Sequence, residues 1–288
     1  MTAAPILIEG RRKDLGGFEV ARLLPHLKAR SVGSFIFLDH MGPARFAPGQ
    51  GLDVRPHPHI GLATVTYLFE GAMTHRDSLG VVQDILPGDV NWMTAGRGIV
   101  HSERTPDALR ASGGPLHGLQ AWVALPRDDE EMAPGFDHYP AAALPRIERA
   151  GVSLQLIAGS YLGERSPVRT RSNLFYLAGS LAAGARLLLP AQALQRAIYV
   201  VSGELGIAAS VVAGGTLVVL PGPDAVVIEA RQPSRLALFG GEPLDGARHL
   251  WWNFVSSRPE RIEQAKDDWR AQRFGVVPGE SEFIPLPA

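Results

Sequence analysis

The chain contains no cysteine. Disulfides and thiolate metal ligands are thereby excluded, which leaves histidine and carboxylates as the strong ligands on offer. No long apolar run is present either. The best stretch, Leu174 to Leu194, is interrupted by Gly179, Gly184, Arg186 and Pro190 and is too broken to span a bilayer. Met1 to Glu19 lacks the apolar core of a secretory signal, so a cytoplasmic location is the default expectation. Charge of one sign is missing as well: 28 Lys and Arg stand against 29 Asp and Glu, for a formal net charge of -1. Without a basic stripe, neither a nucleic acid nor a membrane surface is expected as a partner, while a protein partner stays open. The Gly-x-Ser-x-Gly elbow of hydrolases is absent, and no glycine-rich phosphate loop precedes a helix.

What is present is a folded composition: 288 residues, 45% hydrophobic and 20% charged, enough for one large domain or two modest ones. Short apolar runs read as strands at 6–8, 18–24, 35–38, 63–69, 81–86, 90–93 and 116–125, separated by turn signals such as Glu70-Gly71 and Pro87-Gly88-Asp89. A long Gly- and Pro-rich loop is expected over 41–55, and the acidic stretch 126–145 reads as a linker or an excursion from the first domain. The tail departs from the β pattern. Ser257-Arg258-Pro259-Glu260 has the form of a capping box, and Ile262, Ala265 and Trp269 share one face, predicting an amphipathic helix over 258–273 and then an extended strap over 283–287.

Chemistry concentrates between Arg55 and Glu103. His57 and His59 form one i, i+2 pair and His101 and Glu103 another, so on neighbouring strands all four would face one point. Three imidazoles and a carboxylate suit iron, nickel, copper or zinc, with positions open for water, oxygen or substrate. The second half echoes the first in outline. Ile198 to Gly203 parallels Thr66 to Gly71, and Leu220-Pro221-Gly222 parallels Leu86-Pro87-Gly88, which points to a duplicated domain. Ala193 and Gln195 stand where the second copy would need its histidine pair, so a single metal site is expected.

The run from His57-Pro58-His59-Ile60-Gly61 through His75-Arg76-Asp77-Ser78-Leu79-Gly80 to Pro87 and His101-Ser102-Glu103 closely resembles the pirin family of bicupins. Phe37-Leu38-Asp39-His40-Met41-Gly42-Pro43 and Trp251-Trp252-Asn253-Phe254 also match it. The resemblance implies an all-β bicupin, two jelly-roll β-barrels stacked together with a C-terminal helix. Its domains would be a metal-binding cupin at 1–135, a degenerate cupin at 136–257, and the helix and tail at 258–288. It implies one divalent metal, usually Fe(2+), with Ni, Cu, Co, Mn or Zn as substitutes, held by His57, His59, His101 and Glu103. Bacterial members resemble quercetin 2,3-dioxygenases, which take a phenolic substrate and dioxygen; a mammalian member is regarded as a redox-responsive transcription cofactor. Many members carry Glu four residues after the second histidine, where this chain has Ala63.

Two functions follow: a metal-dependent dioxygenase of the quercetinase type, or a non-enzymatic protein whose metal governs partner binding. In the first, Glu103 is a ligand that also takes the flavonol proton. His75 reads as a turn histidine bonded to backbone near Asp77, the alternatives being a fifth ligand or a group orienting a ligating ring. Trp92, Met93 and Trp122 read as core, or as the wall of an aromatic pocket. His40 is expected to be structural.

Overall fold

The computed structural model describes residues 4–14 and 18–287. Antiparallel strands dominate, with a short helix at Asp107–Ser112 and a longer one at Pro259–Arg270. The chain divides into two compact units: Met1–Arg12, Ala21–His40 and Ala142–Pro243 form one, and Lys13–Val20, Met41–Ala141 and Leu244–Ala288 the other. Each unit carries one large and one four-stranded antiparallel sheet, the barrel construction of a cupin, and the fold is the all-β bicupin expected.

In the unit containing Met41–Ala141, eight strands matter for the site. They are β1 (Asp53–His59), β2 (Leu62–Glu70), β3 (Met73–Asp77), β4 (Val82–Ile85), β5 (Val90–Thr94), β6 (Ile99–Arg104), β7 (Gly114–Ala124) and β8 (Gly135–Tyr139). The smaller sheet has the order β1-β6-β3-β4, and the larger begins β8-β5-β2-β7. β2 is central and buried over Leu62 to Leu68. Inward positions here are strongly polar: Thr64, Thr66, His57, His59, His75, His101 and Glu103 are all buried.

The other unit is filled differently. Its main cluster is mostly aliphatic, with Leu154, Leu156, Leu177, Ile198, Val200 and Leu238 among its members. Gln195–Ser202, which echoes β2, pairs there with Thr216–Val219 and Ser234–Gly241.

Three expectations are corrected. The strand at Phe35 continues to Phe46 as a member of the seven-stranded sheet, which shortens the anticipated loop. The acidic stretch 126–145 is not simply a linker: Gly135–Tyr139 pairs with β5 in register Phe136 to Met93, and Glu130 is buried as the acceptor for the Ser257 backbone N–H and the Arg248 guanidinium. Ser257 does not cap the helix. Arg258 occupies the N-cap with no side-chain cap bond, and the Ser257 hydroxyl donates to Glu130 instead. The helix itself buries Ile262, Ala265 and Trp269 against Ile60, Val100 and Phe254.

Candidate metal centre

β6 lies between β1 and β3, and its register builds the site. His101 sits directly opposite His57 on one side and Asp77 on the other, while Glu103 is opposite His75. Directly opposed residues point to the same face of an antiparallel pair, and His59 joins them as the i+2 neighbour of His57. The chain can leave His59 sharply because Gly61 follows with φ +69°; a Cβ there would strike the Val255 carbonyl.

The three rings form a tight triangle. Centroids are 5.0 Å apart for His57–His59, 4.4 Å for His57–His101 and 5.0 Å for His59–His101. Each ring offers a nitrogen, and these nitrogens lie within 4.8 Å of one another. In each ring the other nitrogen is tied down. His57 Nδ1 donates to the Arg55 carbonyl at 2.9 Å, His59 bonds the backbone of Asn253, and His101 Nδ1 lies 3.3 Å from His75 Nδ1. Nδ1 of His59 and Nε2 of His101 are buried with no hydrogen-bond partner among the described residues. Orphaned buried nitrogens are costly unless something else takes their lone pairs, so the residues present fit a metal ion.

Burial keeps the rings neutral, as ligation requires. It lowers His57 to about 4, with a smaller push from His75, and drives His59 and His101 well below the usual histidine range, their neighbouring rings adding to the effect. Glu103 is pushed the other way, to about 7, by burial working against hydrogen bonds from Gln120 and Thr66.

Glu103 stands beside the histidine triangle rather than within it, and Gln120 Nε2 donates to its Oε1 at 2.7 Å. Two steps along β6, from His101 to Glu103, match three along β1, from His57 to Val54, so the extra residue lies in β1, while β6 keeps a regular register with β3.

His75 lies on β3, not in a turn; its Nε2 is 3.0 Å from Asp77 Oδ2, and Phe136 stacks on its ring at 4.3 Å. Trp122 meets the His59 ring edge to face at 5.1 Å, whereas Trp92 and Met93 are buried strand residues whose β5 register places them opposite Val65 and Thr64. His40 Nδ1 and the Tyr199 hydroxyl are hydrogen-bonded at 2.7 Å. Sequence reasoning missed Gln120, Thr66, Asn253, Phe136 and the side chain of Asp77. Only Asp77 carried a signal, the His75-x-Asp77 spacing that puts both residues on one face of a strand.

The family model for Pirin matches residues 17–123, and that for the Pirin C-terminal cupin domain matches residues 176–275. A pirin-like protein of Caulobacter vibrioides is 49% identical over 286 residues, covering 98% of this chain and 99% of its own. Human pirin is 34% identical over 267 residues, 90% of this chain and 89% of its own. A crystal structure of a quercetin 2,3-dioxygenase from Acinetobacter baumannii superposes with a TM-score of 0.93 at 34% identity, covering 99% of this chain and 95% of that one.

Proposed function

From the premise that this chain belongs to the pirin family, we propose that it is a metal-dependent dioxygenase of the quercetinase type, opening the ring of a flavonol or related phenolic with release of carbon monoxide. His57, His59 and His101 would hold one divalent ion, with Glu103 as the fourth ligand. Iron(II) is the first choice of metal, and nickel, copper, cobalt, manganese or zinc suit the same donors. The observation that carries this reading is the trio of buried imidazoles, each with one nitrogen anchored and all offering a nitrogen to a shared space. The likeness to a quercetin 2,3-dioxygenase structure at 34% identity supports the substrate class.

When bound, the ion supplies Lewis acidity and an electronic bridge between substrate and dioxygen. The chain supplies the proton handling. As a carboxylate, Glu103 would accept the proton of a flavonol 3-hydroxyl as general base. Gln120, donating to Oε1, and Thr66 hold the carboxylate in place. The buried walls, including Trp122 against His59, exclude water that would compete for that proton.

Metal-loaded protein should consume dioxygen and bleach flavonol absorbance, with carbon monoxide as co-product. His57→Ala and Glu103→Ala should each abolish turnover, by at least a hundredfold, with unchanged far-ultraviolet circular dichroism. Wild-type rates in either variant would refute the assignment. No oxygen uptake with several phenolics would favour a metal-dependent binding protein instead.

A further inference from the structure

We propose that Asp77, acting through His75, sets the tautomer of His101 and thereby decides whether that ring can bind metal. This rests on the metal reading above. It concerns three residues that the register of β3 and β6 places side by side.

The derivation begins at Asp77, which is fully buried. Its Oδ1 accepts two backbone N–H groups, from Leu79 at 2.9 Å and Val81 at 3.1 Å, so the carboxylate cannot rotate without losing both. Its Oδ2 faces His75 Nε2 at 3.0 Å. A carboxylate only accepts, so the His75 proton belongs on Nε2. In a neutral His75 ring, Nδ1 then carries a lone pair. Facing it at 3.3 Å is His101 Nδ1, which must therefore be the donor. The proton of His101 is thus held on Nδ1, and its Nε2 keeps a free lone pair. That Nε2 is the buried atom with no partner among the described residues.

The opposite arrangement fails on the same geometry. Were His75 to donate from Nδ1, His101 would have to accept there and carry its proton on Nε2. A buried donor would then be left unsatisfied, and the ring could not ligate. The stacked ring of Phe136, at 4.3 Å and 20° from parallel, restrains His75 in the plane that the relay needs. Ser78 ties the turn after Asp77 to β6, donating its N–H to the Val100 carbonyl at 2.8 Å and accepting the Val100 N–H on its hydroxyl at 3.1 Å.

Asp77→Asn is the informative substitution. The Leu79 and Val81 N–H groups require an oxygen on their side, which turns the amide NH2 toward His75. His75 must then accept on Nε2 and donate from Nδ1, and the His101 proton moves to Nε2. Long-range proton–nitrogen spectra of metal-free, nitrogen-15-labelled protein should show His75 protonated on Nε2 and His101 on Nδ1 in the wild type, with both tautomers exchanged in Asp77→Asn. Zinc(II) affinity, measured against a chromophoric chelator, should fall about 10–100-fold in the variant.

Unchanged tautomers in a folded Asp77→Asn, or exchanged tautomers with undiminished affinity, would overturn the proposal. Should the variant not fold, the wild-type spectrum decides alone. His101 protonated on Nε2, or His75 protonated on both nitrogens, refutes the relay, and the expected pair of tautomers upholds it. Wild-type protein that fails to take up zinc(II) would defeat the metal reading, while the tautomers of the metal-free protein would still test the relay.

Discussion

At the scale of single residues the site is a contest between burial and hydrogen bonding. In metal-free protein Glu103 keeps its proton to about pH 7, whereas the unfolded chain releases it near the ordinary value of 4.5. The sign follows from linkage: stability is lost as pH rises through that window, by about 3 kcal/mol at its end. Glu103→Gln, which mimics the protonated form, should therefore gain on the wild type between pH 4.5 and pH 7.5 in chelator-treated urea unfolding. A constant difference across that range would contradict the raised carboxyl. His57 acts on the other side. Lowered to about 4 from 6.5 by burial, it refuses a proton that the unfolded chain accepts, so its contribution is lost as pH falls through that interval.

At the scale of elements, the C-terminal strap is what ties the metal-bearing strands together. Ile284 donates its N–H to the Pro56 carbonyl on β1, and the Trp269 indole donates to the Ile284 carbonyl. Glu280 accepts from the Ser102 hydroxyl at 2.9 Å and from Arg104 Nε at 2.9 Å and Nη2 at 2.6 Å, both on β6. Arg104 lifts the worth of this contact by holding Glu280 below the usual carboxylate range. Glu280→Ala should cost about 1–2 kcal/mol of metal-free stability, since Arg104 keeps Asp53 as a second partner. The unfolding midpoint in urea, with unchanged slope, measures it. The helix and strap were legible beforehand because the 3.6-residue repeat of Ile262, Ala265 and Trp269 is a local signal. The strand Gly135–Tyr139 was not. Its acidic surroundings look like a loop, and only pairing with β5 makes it a strand.

At the scale of the whole molecule, the buried histidines of the candidate site all lie in one unit, while the main cluster of the other is mostly aliphatic. One metal per chain is the expected stoichiometry by elemental analysis. Adding iron(II) or zinc(II) at a hundred times its dissociation constant should raise stability by about 2.7 kcal/mol. That amounts to a melting shift of several degrees, and His57→Ala should lose it. An equal shift in that variant would place the bound ion elsewhere.

The sequence alone determined that the chain is a pair of β-barrels, that its metal-capable residues lie in the first half, and which three histidines would meet. Periodicity of two and turn chemistry are local, and the i, i+2 spacing fixes a shared face wherever a strand forms. Only the tertiary structure decided what surrounds those rings. The pairing of Glu103 with His75, the Gln120 amide on its carboxylate and the line from Asp77 through His75 to His101 all depend on strand register. Register is a property of pairs of strands distant in sequence, which no single stretch of the chain encodes.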